Sequence, residues 1–303
     1  MTAGGTSDIS ADTPVTPSVA VAPMTTPEVA AAPTPSRFKL TIAYDGHEFH
    51  GWQKQCPPGG EPLRTVAGVV EGTLQRVLGE PINLVGASRT DAGVHALGQV
   101  AHFDAVCRVP LARLAQAINA RLPGDVEVRH AEKVSGTFDA IRGARRKQYR
   151  YRLHNVEQRP LERRFHVYHC WTPLDLDAMN AAAALFVGEH DFEAFAAAGH
   201  NRQSTVRTIF HCDVARDRDG REVHITVEGN GFLYNMVRII AGTLVEVGRG
   251  RFRPEQVTAA LASRDRRDAG PTLPPEGLWL MWIEYGDGAG AGPSPLPRAE
   301  EHG

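Results

Sequence analysis

Hydrophobic residues in the middle of this chain follow two alternating spacings. FKLTIAYDG at 38–46 places apolar side chains at every second position, which is the spacing of a half-buried strand. TVAGVVEGTLQRVLG at 65–79 places them every three or four residues, as on one face of a helix, and ends at Gly79. Because both spacings recur, the chain is predicted to combine strands with helices rather than consist of either alone.

The second half of the chain repeats this arrangement. KQYRYRLH at 147–154 and REVHITVEG at 221–229 alternate as strands, and the helical spacing returns over 231–248. GLWLMWIEY at 277–285 predicts a closing strand. We therefore predict an α+β fold of two similar halves, with a sheet covered by helices on one face. The order of the strands is not fixed by these patterns.

The two ends of the chain lack such patterns. Residues 1–36 contain six prolines, no aromatic residue and no lysine or arginine. Residues 287–303 are similarly rich in glycine and proline. Segments of this composition bury too little apolar surface to fold, so both are predicted to be disordered tails. The folded body is expected to divide into a first half over 37–141 and a second half over 142–286.

A basic segment stands out because the rest of the chain is nearly neutral. The formal net charge is −2, and the acidic ends leave the body slightly positive. RGARRKQYRYR at 142–152 holds six basic residues and no acidic one. Arginines interleaved with tyrosines suit phosphates and stacked bases, and Arg145 and Arg146 are the predicted RNA contacts. Strand alternation would also place an arginine row in solvent over a tyrosine row, and both interpretations stay open.

Several classes of protein and of site are disfavoured by what the sequence lacks. The longest apolar stretches fall far short of the roughly 20 residues of a membrane-spanning helix, and no signal peptide is recognisable. The four cysteines are widely spaced, which argues against disulfides and indicates a reducing cytoplasm. His166 and His169 are three residues apart without a third ligand in view, so no metal site is predicted. Phosphate-binding glycine motifs are absent, so no nucleotide cofactor is predicted.

Two motifs carry candidate chemistry. GASRTDAGVHALGQVAHF at 86–103 places Arg89 and Asp91 on a turn between two strands, where Gly93 permits a tight backbone. An Asp in a turn is usually structural, but a nearby arginine can hold a carboxylate ionised or reach a phosphate. In GNGFLYNMVRIIAG at 229–242, Arg238 leaves the apolar stripe of a helix. It is either an exposed arginine or the partner of a buried carboxylate.

Six blocks follow one another along the chain: KLTIAYDGHEFHGWQKQ, ASRTDAGVHALGQVAHF, ARRKQYRYRL, GEHDFEAFAA, GNGFLYNMVRIIAGTLVEVGRGR and GLWLMWIEY. Together they resemble the bacterial TruA-type tRNA pseudouridine synthases. RTDAGVHA is the most specific of the matching segments, and the resemblance covers nearly all of residues 37–286. Ser88 departs from the family, in which glycine is common before Arg-Thr-Asp, and the loop CPPGGEPLR is longer than in short members.

The resemblance implies an isomerase that converts uridines 38, 39 and 40 of the tRNA anticodon stem-loop to pseudouridine without metal or cofactor. Asp91 would be the nucleophile, acting by covalent addition or by promoting departure of the base. Arg89 would fill the place of the flipped base. Tyr149 would stack on the uracil and help remove its C5 proton, and Arg238 would pair with Asp91. Leu278 is a candidate for the pocket wall.

The resemblance also implies the architecture and the partners. The fold would be a pseudouridine synthase fold, with a mostly antiparallel central sheet, a catalytic half over 37–141 and an RNA-binding half over 142–286. The expected partners are tRNA and a second copy of the chain. Two alternatives stay open, a tRNA-binding protein without chemistry and a glycosidase. The glycosidase would need a second carboxylate near Asp91, for which Asp104 is a candidate.

Overall fold

The computed structural model describes residues 1–2, 4–5, 34–197 and 204–286. The predicted tail at 287–303 lies outside these residues, as does most of the tail at 1–36, and their disorder stays a prediction. None of the helices in the described ranges has the length and apolar character of a membrane-spanning helix.

The strands are β1 (Ser36–Tyr44), β2 (Val85–Gly86), β3 (His95–Ala105), β4 (Val126–Val134), β5 (Ala144–His154), β6 (Tyr168–His169), β7 (Gly188–Asp191), β8 (Val206–Arg216), β9 (Glu222–Gly229) and β10 (Leu278–Tyr285). The α-helices are α1 (Val66–Leu78), α2 (Leu111–Asn119), α3 (Leu176–Ala184), α4 (Met236–Gly248) and α5 (Gln256–Ser263).

The ten strands join one sheet. Eight of them run in the order β4-β1-β3-β10-β5-β9-β8-β7, with β2 beside β3 and β6 beside β5. Most neighbours are antiparallel, whereas β10 with β3 and β6 with β5 are parallel. This confirms the α+β class and the mostly antiparallel sheet. Strand β10 lies between β3 and β5, so Trp279 pairs with His95 on one side and Arg150 on the other.

Strand β5 shows how the alternating pattern becomes a core. Tyr149, Tyr151 and Leu153 are buried, whereas the alternate residues Arg150 and Arg152 are only partly buried. Helix α4 packs against this strand. Burying a large apolar side chain contributes about 1.5–3 kcal/mol, so the tyrosine face rather than the arginine face drives the docking of the helix.

Helix α1 begins and ends where its sequence predicts. The Thr65 hydroxyl accepts a hydrogen bond from the Gly68 N–H at 3.3 Å, which satisfies one free donor of the first turn. Gly79 follows the last turn at φ 75° and donates its N–H to the Gln75 carbonyl at 2.9 Å. A residue with a side chain would be strained in that conformation, so the glycine ends the helix.

Helix α4 is shorter than the 231–248 suggested by spacing, because it starts at Met236. The residue before it, Asn235, has φ 60°, a left-handed conformation that cannot continue a helix. Every residue of α4 except Arg238 is buried. The charged Arg238 side chain extends toward the turn that carries Asp91.

Candidate active site

The charged turn is anchored through Thr90, a buried residue between strands β2 and β3. The Thr90 hydroxyl shares a 2.7 Å hydrogen bond with the Tyr44 hydroxyl at the end of β1. The Thr90 carbonyl accepts the Trp52 N–H at 3.0 Å. Because the Thr90 hydroxyl and carbonyl are bound to Tyr44 and Trp52, its neighbour Asp91 is held at the turn.

Two glycines let other segments approach this turn closely. Gly51 has φ +83°, and a Cβ atom there would lie 2.6 Å from the Thr90 carbonyl oxygen. Gly93 has φ +79°, as its place in the turn predicts, and a Cβ atom there would lie 2.9 Å from Pro275 Cγ. A Cβ atom at either position would collide with these neighbours and displace the turn.

Asp91 meets Arg238 across 147 residues of sequence. Arg238 Nη1 lies 3.4 Å from Asp91 Oδ2, which is longer than a strong charge-assisted hydrogen bond of roughly 2.7–2.9 Å. The guanidinium is also held by the Leu273 carbonyl and the Asn235 side chain, each at 2.7 Å. The arginine is therefore fixed by two other partners and presents one Nη1 edge to the carboxylate.

The electrostatics of Asp91 are dominated by burial. Removal from water raises the pKa of the Asp91 carboxyl, and the nearby Arg238 charge lowers it without cancelling that effect. The 3.4 Å separation explains why the ion pair only partly compensates. Because the Asp91 side chain keeps 30% of its surface accessible, an incoming group can still reach the carboxylate. A carboxylate with a raised pKa is more basic than one in water, which favours a role as nucleophile or base.

Tyr149 lies on strand β5 and is bonded to the same turn. Its hydroxyl shares a 2.9 Å hydrogen bond with the Ser88 hydroxyl. The Gln99 side chain holds the Ser88 backbone at both its N–H, at 3.2 Å, and its carbonyl, at 2.6 Å. Phe232 packs edge-on against the Tyr149 ring at 5.1 Å. Burial raises the pKa of Tyr149 to about 12, so the phenol stays protonated at neutral pH.

A cleft of about 1440 Å³ opens over Asp91 and Tyr149. It is large enough for a nucleotide with its neighbours, since small-ligand pockets typically measure about 300–1,000 Å³. Among the described residues that line it, Asp91 is the single Asp or Glu. The lysines and arginines that line it are Lys54, Arg89, Lys147 and Arg207. A cleft with one acidic group among several cations suits a phosphate-bearing ligand.

The other predicted site residues divide between the cleft and its surroundings. Arg89 is exposed and Leu278 is buried, and both line the cleft. Arg145 is exposed, but neither it nor Arg146 belongs to the lining. Arg146 forms an ion pair with Glu228, also on the sheet, so its charge already has a protein partner.

Several lining residues were not predicted from the sequence. Lys147 donates to the Ala87 carbonyl at 2.8 Å from within the cleft. Its place in the cleft could have been predicted from the sequence. Lys147 lies two residues before Tyr149, so both side chains point to the same side of the strand. Arg207 and Tyr234 also line the cleft, the latter with half its surface exposed. No local pattern marks these two, since they come from separate elements that only the fold brings together.

The second carboxylate that a glycosidase would need is not supplied by Asp104. That residue pairs with Arg37 at 2.6 Å and does not line the cleft. Glu276 lies close enough to Arg238 for the arginine charge to affect its carboxyl, although burial raises the Glu276 pKa overall. Glu276 is not part of the described lining either. The arrangement therefore favours chemistry that starts from one carboxylate.

Comparisons with known proteins identify relatives of this chain. A family model described as tRNA pseudouridine synthase matches residues 40–141 and 182–286. The tRNA pseudouridine synthase A of Caldicellulosiruptor saccharolyticus is 44% identical over 246 residues, which cover 81% of this chain and 98% of that protein. Its namesake in Geotalea uraniireducens is 45% identical over 249 residues, with coverage of 82% and 99%. Among solved structures, one of an H/ACA RNP bound to a substrate RNA aligns at 11% identity with a TM-score of 0.31, over 69% of this chain and 44% of that one.

Proposed function

This chain belongs to the tRNA pseudouridine synthase family, and on that premise we propose that it isomerises uridines 38, 39 and 40 of the tRNA anticodon stem-loop with Asp91 as the nucleophile. The members of the family isomerise uridine to pseudouridine, and the chain is an isomerase of this kind. The single observation that carries the proposed roles is that Asp91 and Tyr149 line one basic cleft and Arg238 lies 3.4 Å from Asp91, although the three residues come from distant segments.

The reaction is redox-neutral, and its steps fit the groups in the cleft. The bond between N1 of uracil and C1′ of the ribose breaks, uracil turns over, and C5 bonds to C1′. The C5 proton is then lost and N1 gains one, so the atoms balance. Asp91 either adds covalently or assists departure of the base, and both routes need it ionised. Arg238, held by Leu273 and Asn235, keeps a positive charge beside that carboxylate throughout.

Tyr149 and Arg89 have supporting roles in the proposal. The buried Tyr149 ring forms a wall of the cleft on which a flipped uracil stacks, with its hydroxyl placed to assist loss of the C5 proton. The exposed Arg89 belongs to the same turn as Asp91, so its side chain can fill the space from which the base has left. Leu278 contributes apolar surface next to the ring.

The wider arrangement is proposed on the same premise. The enzyme acts as a homodimer in the cytoplasm, where its four cysteines, all free in the structure, stay reduced. Residues 37–141 supply the catalytic turn and residues 142–286 supply Tyr149, Arg238 and much of the RNA surface. Light scattering on the purified full chain tests the dimer, because a monomer mass at working concentration would contradict it.

The decisive test of the proposed chemistry compares Asp91→Asn with the wild-type enzyme on tRNA labelled with tritium at C5 of uridine. The wild type should release tritium, and the variant should release none while still binding tRNA. Asp104→Asn is the matched control, because this aspartate pairs with Arg37 outside the cleft and should not affect release. Release by Asp91→Asn would exclude Asp91 as the nucleophile, and absence of release from the wild type would favour a binding protein without chemistry. Substrates with a single uridine at position 38, 39 or 40 then test the proposed positions.

A further inference from the structure

A cluster of three potential metal ligands lies beside the catalytic turn. Asp45, His95 and His166 each contribute one ligand atom, and these atoms all lie within 4.8 Å of one another. Asp45 Oδ2 is 2.7 Å from His166 Nε2, and Asp45 Oδ1 is 3.1 Å from His95 Nδ1. His169, the neighbour of His166 in sequence, faces the Val156 carbonyl instead. The cluster is therefore assembled by the fold and not by the local spacing of histidines.

The outer ring nitrogen of the buried member, His95, makes the hydrogen bond that metal-binding histidines usually make. Its Nδ1 accepts the Gly46 N–H at 2.9 Å, so the ring proton must be on Nε2, which donates to the Phe165 carbonyl at 2.8 Å. Ligating histidines typically donate their outer ring N–H to a carbonyl in this way, which directs the other nitrogen toward the metal. Trp279 stacks on the His95 ring at 4.4 Å and donates to the His166 carbonyl at 3.1 Å. The same indole thus contacts the His95 ring and the His166 backbone.

We propose that Asp45, His95 and His166 form a binding site for a divalent first-row transition metal such as Zn²⁺. Two imidazoles and one carboxylate are ligands that these metals favour, whereas Mg²⁺ and Ca²⁺ prefer sites made of oxygen atoms. Three protein ligands leave a position for water in a four-coordinate site. The side chains of Asp45 and His166 are 38% and 32% accessible, so an ion can enter from solvent.

Metal binding must compete with interactions that already satisfy these groups. The ion would replace the hydrogen bond from Gly46 N–H to His95 Nδ1 and the one between His166 and Asp45. The positive Arg152 guanidinium lies 4.4 Å from the Trp279 ring centroid, and its charge is felt at His95. These costs restrict the site to metals with strong affinity for imidazole.

A bound ion would join three segments around the catalytic turn. Asp45 directly follows β1, His95 opens β3, and His166 lies in the connection that leads to β6. His95 follows Val94, whose N–H donates to the Asp91 carbonyl at 3.2 Å. Because a ligand that binds only the folded state stabilises it, the metal should raise the unfolding temperature and restrain the turn.

The test uses the full-length, metal-free enzyme and Co²⁺ as a spectroscopic probe, with Zn²⁺ in a parallel calorimetric titration. We expect one equivalent of each metal to bind, with visible Co²⁺ absorption and a higher unfolding temperature. His166→Ala and Asp45→Ala should weaken binding by more than about tenfold, because loss of a ligand exceeds the roughly 10–100-fold effect of losing an outer-shell partner. Both positions are partly exposed, so these variants should fold, unlike replacements of the fully buried His95.

Two controls address adventitious binding. His211→Ala removes a histidine that bonds to Asp213 at 3.0 Å in a similar exposed pair without a second histidine. Cys56→Ser removes the exposed thiol. Both should bind the metals as the wild type does. The proposal is overturned if the wild type binds neither metal, if either His166→Ala or Asp45→Ala retains full affinity, or if a control variant loses the site. None of these outcomes depends on the RNA chemistry.

Discussion

Ser88 and Tyr149 share a 2.9 Å hydrogen bond between their hydroxyl groups, although they lie 61 residues apart in the sequence. The bond joins the segment after β2 to strand β5. It gives the buried Tyr149 phenol a polar partner next to the turn that carries Asp91. The orientation of that phenol is therefore coupled to the turn through Ser88 and its Gln99 anchor.

Ser88→Ala should slow loss of the C5 proton without weakening tRNA binding. One neutral hydrogen bond contributes about 1 kcal/mol, so the single-turnover rate of tritium release should fall by about three- to tenfold. Ser135→Ala is a suitable control, because its hydroxyl bonds to Thr137 in an exposed loop. An unchanged rate in Ser88→Ala would show that the orientation of Tyr149 does not depend on this bond.

Gly51→Ala should displace the turn that carries Asp91. The left-handed backbone alone costs about 1–2 kcal/mol, and the new Cβ atom would also collide with the Thr90 carbonyl oxygen. We expect urea unfolding to show a loss of more than about 2 kcal/mol and tritium release to fall by at least about tenfold.

Gly59→Ala measures the cost of a left-handed backbone without a steric collision of the new Cβ atom. Gly59 has φ +72°, but its Cβ position is in open space. This variant should lose only the backbone cost and should retain full activity. Equal losses of activity in the two variants would mean that the contact with Thr90 is unimportant.

Asp91→Asn should raise the stability of the protein at neutral pH while it abolishes activity. The folded-state pKa of Asp91 is raised, so the folded protein binds this proton more tightly than the unfolded chain does. The stabilisation linked to protonation is full below the unfolded pKa and is lost as the pH rises through the folded pKa. The uncharged Asn side chain cannot lose a proton, so the variant keeps this stabilisation at every pH. Its unfolding temperature should therefore exceed that of the wild type at pH 7 and match it in acid.

Asp104→Asn is expected to change the stability at neutral pH in the opposite direction. Its hydrogen bonds to Arg37 lower the pKa of Asp104, so its stabilisation is present at neutral pH and lost as the pH falls. The side chain is half exposed, so the loss at pH 7 should not exceed about 1 kcal/mol. Scanning calorimetry at several pH values measures both variants, and stabilisation by Asp104→Asn would contradict this account.

Removing cleft cations should flatten the salt dependence of tRNA binding. Each lost phosphate contact lowers the slope of log K against log salt by about 0.7–0.9. Arg89→Ala and Arg207→Ala are expected to show this because both side chains line the cleft.

The prediction for the basic strand is tested in the same way. The double variant Arg145→Ala, Arg146→Ala should also weaken binding, with the larger share from the exposed Arg145, because Arg146 is paired with Glu228. An unchanged slope in the double variant would mean that this part of the strand does not face the RNA.

Much of the local structure was predictable from hydrophobic spacing. Helix α1 ends at Gly79 as predicted, and strand β5 buries the tyrosine side of its alternating pattern. The start of α4 was wrong by five residues, because the left-handed Asn235 leaves no mark in the apolar periodicity. Two motifs singled out Asp91 and Arg238, the resemblance to a family implied that they pair, and in the structure they lie 3.4 Å apart.

Spacing along the chain established which segments are strands and helices and which side of each is buried, because those properties depend on residues a few positions apart. Three features arose from folding. They are the placement of β10 between β3 and β5, the position of Lys147 in the cleft, and the meeting of His166 with Asp45 and His95. These contacts join residues that are dozens to more than a hundred positions apart. They are settled by strand order and register, which come from packing of the whole sheet and its helices and have no counterpart in any local pattern.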